Sequence, residues 1–374
     1  MKYLLAIDSF KGCLSSAEAE QAAAEAIHSC CKDAQIVSIP VSDGGDGMLE
    51  AFVAAMKGQT VTVDSHDALM RSITASYGIV VEGLCENGAC SASQDGSNTV
   101  KTAVIETAKA CGLALLNEEE HRPLVATTYG VGELLADAVK RGCQKFIIGL
   151  GGSATSDCGI GMLRALTDIF GSRGDSHWKD VAGLFKELSF TLASDVNNPL
   201  YGENGAAHVY APQKGATPEQ VELLDSRAKK FADISARHFG FDRSQQPGAG
   251  AAGGLGYAFM QYLGAEAQSG AHLLLNKVNF DEQIKDVDGI LTGEGSADAQ
   301  TLMGKLPAVV LQRAQRQNVP VVLLAGKVKE RELLLRAGFS DVLCINPEGA
   351  DPSESMRPEV AKERIKAAVP NCLK

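Results

Sequence analysis

A glycine-rich stretch in the middle of the chain has the residue types of either a tight turn or an anion-binding loop. The sequence IIGLGGSATSDCGIGML, residues 147–163, passes from an apolar pair into small residues and then into a helical pattern. Ser153, Thr155 or Ser156 could cap the following helix, as is common at a strand-to-helix turn. Alternatively, glycine lets a ligand approach the main chain, and the amide groups that begin a helix attract negative charge. This stretch alone leaves both interpretations open.

Acidic residues recur where predicted strands end: Asp8, Asp43, Asp46, Asp195, Glu294 and Asp298. The carboxyl ends of parallel strands form the edge at which α/β sheets bind ligands. Together with Lys11 and Arg71, these carboxylates suit Mg²⁺-dependent phosphoryl transfer, in which they hold the metal ion or accept the proton of the acceptor hydroxyl. Taken singly, each acid could equally cap a helix or stabilise a turn, and the two cations could be ordinary surface residues.

Three standard ligand-binding motifs are absent or disfavoured by spacing or context. A P-loop is absent, because Leu306 follows Gly304 and Lys305 where a hydroxyl residue is required. The segment GAGAAG, residues 248–253, follows a polar segment rather than a strand, which argues against a dinucleotide-binding turn. The acidic turn SDGGDG has its aspartates three residues apart, whereas an EF-hand loop needs alternate positions.

Both ends of the chain alternate strands with helices. The start reads as strand KYLLAI, a helix capped by Ser15 with Glu18, strand QIVSIPV and helix MLEAFVAAM. The end begins with strand and loop DGILTGEG and continues with helices and strands in KLPAVVLQRAQRQ, VPVVLLAG, KERELLLRAG, DVLCINP and PEVAKERIKAAV. This alternation predicts a parallel sheet that is covered on both faces.

The middle of the chain has a different pattern. The segments TVTVDS, SITASYGIVVEG and GACSASQ predict antiparallel or mixed strands, followed by helices around residues 101–111 and 129–141. Residues 195–216 are rich in Asn, Pro, Gly and Tyr, which predicts loops around a short strand.

The length of 374 residues favours two domains, because single cores rarely grow beyond about 300 residues. We predict an α/β protein with a Rossmann-like parallel-sheet domain built from both chain ends and an inserted mixed α/β domain. The Rossmann-like domain comprises residues 1–60 and 286–374, and the inserted domain comprises residues 61–285.

Composition excludes several classes of protein. Hydrophobic residues at 45% and charged residues at 22% describe a globular protein without a membrane-spanning run. The net charge of −11 disfavours nucleic-acid binding, which depends on Lys and Arg at phosphates. Ten cysteines without a C-x-x-C pair indicate reduced thiols rather than a metal or disulfide framework. With no secretory signal pattern at the start, we expect a cytoplasmic location.

A series of longer blocks resembles the bacterial glycerate kinase family, of the type related to the glyoxylate-pathway and glucarate-pathway enzymes (type I). The blocks span nearly the whole chain in the family's order: DSFKGCLSSAEAEQAAAEAI, PVSDGGDGMLEAF, DALMRSITASYG, AVIETAKACGLALL, TTYGVGELLADA, GLGGSATSDCGIGML, SDVNNPLYGENGAAHVYAPQKGA, GAGAAGGLGYAF and TGEGSADAQTLMGKLPAVV. The resemblance implies ATP-dependent phosphorylation of D-glycerate, usually at the 2-hydroxyl, with Mg²⁺ as cofactor. It also implies a two-domain fold with the active site in the cleft between the domains.

The resemblance also implies roles for individual residues. The phosphate and ATP side falls on Gly151, Gly152, Ser153, Ala154 and Thr155, joined by Glu294. The substrate side falls on Asp8, Ser9, Phe10, Arg71, Asp43 and Asp46. The expected catalytic residues are Asp195, Asp298 and Lys11. Asp195 and Glu294 are the expected Mg²⁺ ligands, although the pattern does not say which acid is the base and which binds metal.

This chain departs from the family pattern at two positions. Ser296 replaces the arginine of the family's G-E-G-R-x-D segment, and Ser72 replaces the proline after the early arginine. The first change removes a cation, for which Lys305 or Lys11 could compensate. The alternatives to a glycerate 2-kinase are phosphorylation at the 3-hydroxyl, a related hydroxy acid as substrate, or a sugar-acid sensor without turnover. The oligomeric state stays open, a homodimer included.

Overall fold

The computed structural model describes residues 1–42, 45, 47–83, 99–171 and 177–372. The predicted site residues Asp43 and Asp46, and the predicted strand in GACSASQ, lie outside the described residues. The chain divides into two compact units. Unit one comprises Met1–Met56 with Ser269–Lys374, and unit two comprises Lys57–Gln268.

The described residues form strands and helices with the following bounds. The strands are β1 Lys2–Ile7, β2 Gln35–Ser38, β3 Gln59–His66, β4 Ser72–Gly83, β5 Thr99–Glu106, β6 Lys145–Gly149, β7 Ser189–Ala193, β8 Glu266–Gln268, β9 Gly289–Ala297, β10 Val321–Val328 and β11 Asp341–Cys344. The helices are α1 Ser16–Cys30, α2 Met48–Ala55, α3 Ala108–Cys111, α4 Tyr129–Lys140, α5 Ile160–Phe170, α6 Trp178–Val181, α7 Ala206–Tyr210, α8 Pro218–Phe239, α9 Ala251–Leu263, α10 Gly270–Lys277, α11 Phe280–Gln283, α12 Leu306–Gln315, α13 Arg331–Ala337, α14 Pro352–Ser355 and α15 Pro358–Ala368.

Unit one is built on a parallel sheet with the strand order β11-β10-β9-β1-β2. The apolar run of β1 is buried among α1, α15 and the neighbouring strands, with Leu5 and Ile7 fully buried. The predicted cap of α1 is confirmed, because Ser15 and Glu18 form a reciprocal capping box. The chain leaves β1 toward β2 on one side, while β9 and the later strands lie on the other. This reversal of strand order is the usual position of a ligand site in such sheets.

Unit two is built on a mixed sheet with the strand order β3-β4-β5-β6-β7-β8. The first three strands pair antiparallel, and the strands from β5 to β8 pair parallel. Its core includes stacked Phe146 and Phe190, whose ring centroids are 4.7 Å apart. The predicted fold class, mixed α/β with a parallel sheet made from both chain ends, is confirmed. No helix among the described residues has the length and apolar character needed to cross a bilayer.

Two local predictions in the middle of the chain are wrong. Most of the segment 101–111 is strand β5 rather than a helix, because β5 pairs with both β4 and β6 and buries its apolar side chains between layers. Within residues 195–216 the structure has the short helix α7 where a short strand was predicted. Ala207 of α7 and Ala211 directly after it pack with Val221 and Leu224 of α8, and the i, i+4 spacing of a helix places both alanines on one face.

The unit boundaries and the end of β9 also differ from the sequence-based assignment. Unit one includes α10 and α11, because Arg313 of α12 hydrogen-bonds to Asn276 and lies 3.5 Å from Asp281. The boundary therefore lies after Gln268 rather than after residue 285. The loop expected at the end of DGILTGEG belongs to β9, because β10 continues to pair with β9 as far as Ala297.

Candidate active site

The glycine turn that follows β6 presents main-chain donors. Gly151 and Gly152 are exposed, and Gly152 has a φ of +73°, a conformation that favours glycine. The turn is fixed by hydrogen bonds from the Leu113 amide to the Gly152 carbonyl at 2.7 Å and from the Ala154 amide to the Cys111 carbonyl at 2.8 Å. The amides of Gly151, Gly152 and Ser153 donate to no acceptor within the described part of the chain. A run of such amides with a left-handed residue is the kind of backbone that binds anions.

The side chain of Asp157 accepts hydrogen bonds from main-chain amides at the start of α5. Its carboxylate accepts hydrogen bonds from the Gly159 amide at 3.1 Å and the Gly161 amide at 3.0 Å. The Met162 amide donates to Thr128 Oγ1 at 2.9 Å, and the same hydroxyl donates to Asp157 at 2.9 Å. The helix therefore has Gly159 as its N-cap residue, and none of the three hydroxyl residues proposed as its cap has that role. Because these first amides are already bonded, the amides that remain for an anion are those of the preceding turn.

Lys214 is a buried cation behind the same turn. It lies just before Gly215, with 3% of the residue exposed. Its Nζ donates to Ser153 Oγ at 3.1 Å and to the Thr155 carbonyl at 2.7 Å. Burial lowers the pKa of this lysine to about 8, and the nearby Cys111 and Asp157 oppose that shift. The site thus contains a cation that the sequence reasoning did not single out.

Asp195 follows β7 at the carboxyl edge shared with the glycine turn. It is exposed and precedes the loop in which the Asn198 carbonyl accepts a hydrogen bond from the Gly250 amide at 2.9 Å. In the parallel sheet β7 is the direct neighbour of β6. Asp195 and the glycine turn are therefore carried by adjacent strand ends of unit two.

The segment GAGAAG serves close packing. A Cβ on Gly253 would lie 2.0 Å from the Thr155 carbonyl oxygen, and one on Gly250 would lie 2.3 Å from the Pro199 carbonyl oxygen. Gly253 also has a φ of +66°. These glycines let the segment GAGAAG pack closely against the backbone at Thr155 and at Pro199. Close packing therefore explains the glycines, and no bound dinucleotide is needed to explain them.

Arg71 is engaged by carboxylates of its own unit. Its Nε donates to Asp67 at 2.5 Å and its Nη1 to Glu120 at 2.6 Å, while about half of the side chain is exposed. A carboxylate substrate would have to compete with both partners. The geometry favours a structural role for this predicted substrate residue.

A cavity of about 270 Å³ lies beside the start of α5. Its lining is mainly apolar, with Val125, Ile160 and Leu224 among the contributors, and Arg164 and Arg227 add positive charge. The cavity also touches Ser156, Asp157, Cys158 and Gly161, which belong to the glycine-rich stretch.

In unit one, the segment after β1 packs against β9. The Asp8 amide donates to the Gly293 carbonyl at 2.9 Å, and Asp8 Oδ1 accepts from the Ser9 amide at 2.7 Å. Asp8 and Phe10 are buried, whereas Lys11 is exposed. The absence of a side chain at Gly295 leaves the backbone of Phe10 and Lys11 close to β9. Four of the predicted site residues are thereby held at the carboxyl end of β1.

Glu294 lies in a small polar cluster. Its carboxylate accepts a hydrogen bond from Thr301 Oγ1 at 2.6 Å and from Lys305 Nζ at 3.4 Å. The residue is 8% exposed, and burial raises its pKa above the usual range. Asp298 accepts a hydrogen bond from the Gln300 amide with Oδ1 at 2.9 Å and caps a short 3₁₀ turn. Its side chain also faces the Thr301 amide in a capping box, and the Thr301 hydroxyl accepts from the Asp298 amide at 3.0 Å.

Ser296 has a cation as its cross-strand neighbour. The register of β9 and β10 pairs Ser296 with Lys327, and both are exposed. Paired residues of adjacent parallel strands project to the same face. The family's arginine is replaced by Ser296, but a positive charge remains beside that position on Lys327. The sequence reasoning did not consider this lysine.

The described ranges contain no group of three or more His, Cys, Asp or Glu side chains arranged as a metal site. The two predicted metal ligands lie in different units, Asp195 in unit two and Glu294 in unit one. Mg²⁺ usually takes only one or two carboxylates, together with substrate phosphates and water. Asp195 is exposed and has the donor type that this ion uses. The carboxylate of Glu294 is bonded to Thr301 and Lys305.

The sequence reasoning missed Lys214, Asp157 and Thr128. Asp157 stands inside the glycine-rich stretch, but its main partner Thr128 is distant along the chain. Lys214 stands in the segment APQKGA, where a lysine before glycine reads as a surface turn. Only the tertiary contacts identify these three residues.

Comparison with known proteins shows the family of the chain. The model of the glycerate kinase family matches residues 3–374. Glycerate 2-kinase of Escherichia coli (strain K12) is 38% identical over 345 residues, which cover 88% of this chain and 86% of the relative. Glycerate kinase of Bacillus subtilis (strain 168) is 36% identical over 370 residues, which cover 95% and 92%. A crystal structure described as a glycerate kinase 2 from Salmonella typhimurium LT2 superposes with a TM-score of 0.77 at 32% identity and covers 98% of this chain and 95% of its own. The chain therefore belongs to the glycerate kinase family and is a kinase enzyme.

Proposed function

We propose that the protein transfers the γ-phosphoryl group of ATP to the 2-hydroxyl of D-glycerate. ATP is the expected co-substrate of a kinase, and the E. coli relative named glycerate 2-kinase supports the choice of hydroxyl. The observation that carries the proposal is the turn at Gly151, Gly152 and Ser153, whose amides have no internal acceptor among the described residues. Preorganised amides of this kind stabilise charge on a transferring phosphoryl group.

On the nucleotide side, we assign the phosphates to this turn and the adenosine to the neighbouring cavity. The cavity volume of about 270 Å³ and its mainly apolar lining suit a base and ribose, and its two arginines suit an anionic ligand. Asp195 would hold Mg²⁺ together with phosphate oxygens. When bound, the ion neutralises charge on the phosphates and orients them for transfer.

On the acceptor side, we assign glycerate to the residues after β1 and around β9. Lys11 is exposed and would pair with the substrate carboxylate. Asp298 would accept the proton of the reacting hydroxyl, since its carboxylate lies directly after the end of β9. Glu294 would hold Lys305 through their contact at 3.4 Å and so fix its ammonium group.

Release of ADP that depends on D-glycerate tests the proposal. The purified protein with ATP and Mg²⁺ is expected to release ADP only when D-glycerate is added, and the Lys11→Met variant is expected to raise the KM for glycerate more than the KM for ATP. Binding of glycerate without ADP release would instead identify a sensor and overturn the proposal.

A further inference from the structure

The buried side chain of Lys214 is the starting point. Its ammonium group bonds to Ser153 Oγ at 3.1 Å and to the Thr155 carbonyl at 2.7 Å, which lie on both sides of Ala154 in the glycine turn. Lysine is almost never fully buried without a partner, because removing an ammonium ion from water is costly. A neutral side chain of similar length could fill the same space at lower cost. A buried lysine at this turn therefore calls for a role that uses its charge.

The surroundings of Lys214 offset its charge only in part. The charged and titratable groups that face it are Asp157 and the thiol of Cys111. Asp157 already accepts hydrogen bonds from Thr128 and from the amides at the start of α5. Burial raises the pKa of the Cys111 thiol to about 12, so this group stays neutral at physiological pH. The lysine is thus a cation within an apolar interior, immediately behind amides that point to no internal acceptor.

We propose that Lys214 is a positioning residue that holds the glycine turn in its phosphate-binding form and adds a buried positive charge behind the bound phosphates. It contacts the turn rather than the nucleotide. Because the dielectric constant of the interior is low, the charge of Lys214 attracts the bound phosphates more strongly than the charge of a surface lysine would. In a chain with a net charge of −11, this local cation lowers the electrostatic cost of bringing in an anion.

The proposal rests on the proposed function and predicts that nucleotide binding depends on the protonation of Lys214. Burial lowers its pKa to about 8. Loss of the proton above that pH removes the charge, so affinity for the nucleotide should fall as pH rises from 7 to 9.5. Phosphate next to the turn favours the charged form and shifts the transition to higher pH in the complex.

Calorimetric titration with ATP and Mg²⁺, without glycerate, tests the proposal and needs no turnover. At pH 7 we expect Lys214→Met to bind ATP at least about tenfold more weakly than the wild-type protein, because the variant loses both the charge-assisted hydrogen bonds that hold the turn and the buried positive charge near the phosphates. The wild-type affinity should fall between pH 7 and 9.5, and the affinity of the variant should not. Arg313→Met is the matched control, because Arg313 is a buried cation of unit one. It should leave ATP affinity unchanged.

Two results would overturn the proposal. One is wild-type ATP affinity in a folded Lys214→Met protein. The other is a wild-type affinity that stays constant from pH 7 to 9.5, which can be measured even if the variant does not fold. A protein that binds ATP with the expected pH dependence but does not phosphorylate glycerate would contradict the proposed function and leave the role of Lys214 standing.

Discussion

Asp157 Oδ2 accepts a hydrogen bond from the Gly161 amide at 3.0 Å, and this contact decides which part of the glycine-rich stretch can bind an anion. In many nucleotide-binding folds the amides at the start of the helix bind phosphate. Here a carboxylate of the chain already occupies that position. The donors that remain belong to the turn between β6 and α5.

Gly152→Val should lower kcat/KM for ATP by about a hundredfold or more. A side chain at a φ of +73° strains the turn and moves its amides, and loss of one such donor has an effect of this order. Gly142→Val is the matched control, because Gly142 has a φ of +81° in the same unit and lies after α4, with no atoms near its would-be Cβ. Steady-state kinetics of the two variants should differ sharply. If Gly152→Val and Gly142→Val were equally active, the glycine turn would have a purely structural role.

Asp157→Asn should lower the free energy of unfolding by about 2–4 kcal/mol. The substitution removes a charge that accepts several hydrogen bonds and places an amide group against donors such as the Thr128 amide. Urea unfolding measures the loss. Asp168→Asn removes an exposed carboxylate of α5 and should change stability by less than about 0.5 kcal/mol. An Asp157→Asn protein with wild-type stability would show that the hydrogen bonds of Asp157 at the start of α5 are not needed for the fold.

Lys214 should also make stability depend on pH in a specific direction. Its pKa falls from the usual 10.5 to about 8, so between these values the unfolded chain holds a proton that the folded chain lacks. The wild-type protein should therefore become more stable as pH rises from 8 to 10.5, by about 3 kcal/mol relative to Lys214→Met. The full cost of the buried charge is present below pH 8. A difference between the two proteins that does not change with pH would contradict the lowered pKa.

Much of the fold could be predicted from local patterns. The apolar runs of β1 and β10 and the capping box at Ser15 depend on neighbours in the sequence. The sequence pattern does not identify β5 as a strand, because its last five residues are buried on both faces of the sheet and the simple polar–apolar alternation is lost. The site was harder to predict. Lys214 is identified by its contact with Ser153, 61 residues away, and no local pattern reports such a contact.

Asp195→Asn should reduce kcat by about a hundredfold with little change in folding stability. The side chain is exposed, so its role in packing is small, whereas a Mg²⁺ ligand needs its charge. The concentration of Mg²⁺ required for half-maximal activity should rise as well. Asp233→Asn, an exposed position on α8, serves as the control. If Asp195→Asn loses stability and keeps its kcat, Asp195 is a turn residue.

We expect Lys327 to supply the positive charge that the family's arginine would supply at position 296. Lys327→Met is expected to lower kcat/KM for glycerate by about tenfold, and Ser296→Arg introduced into that variant should restore most of the loss, because both positions lie on the same face of β9 and β10. Lys32→Met, at the opposite end of the sheet, should have no effect. A further loss on adding Ser296→Arg would indicate that the site is built around the smaller residue and favours a different acid.

The most direct test of the central claim is the nuclear magnetic resonance spectrum of the product formed from D-glycerate and ATP. Phosphorus coupling to the carbon and proton at position 2 identifies 2-phosphoglycerate, which is the product that we predict. Coupling to the methylene group at position 3 would identify 3-phosphoglycerate and contradict the assignment of the reacting hydroxyl. A spectrum in which glycerate stays unmodified while ATP and Mg²⁺ are present would contradict the kinase reaction proposed for this substrate.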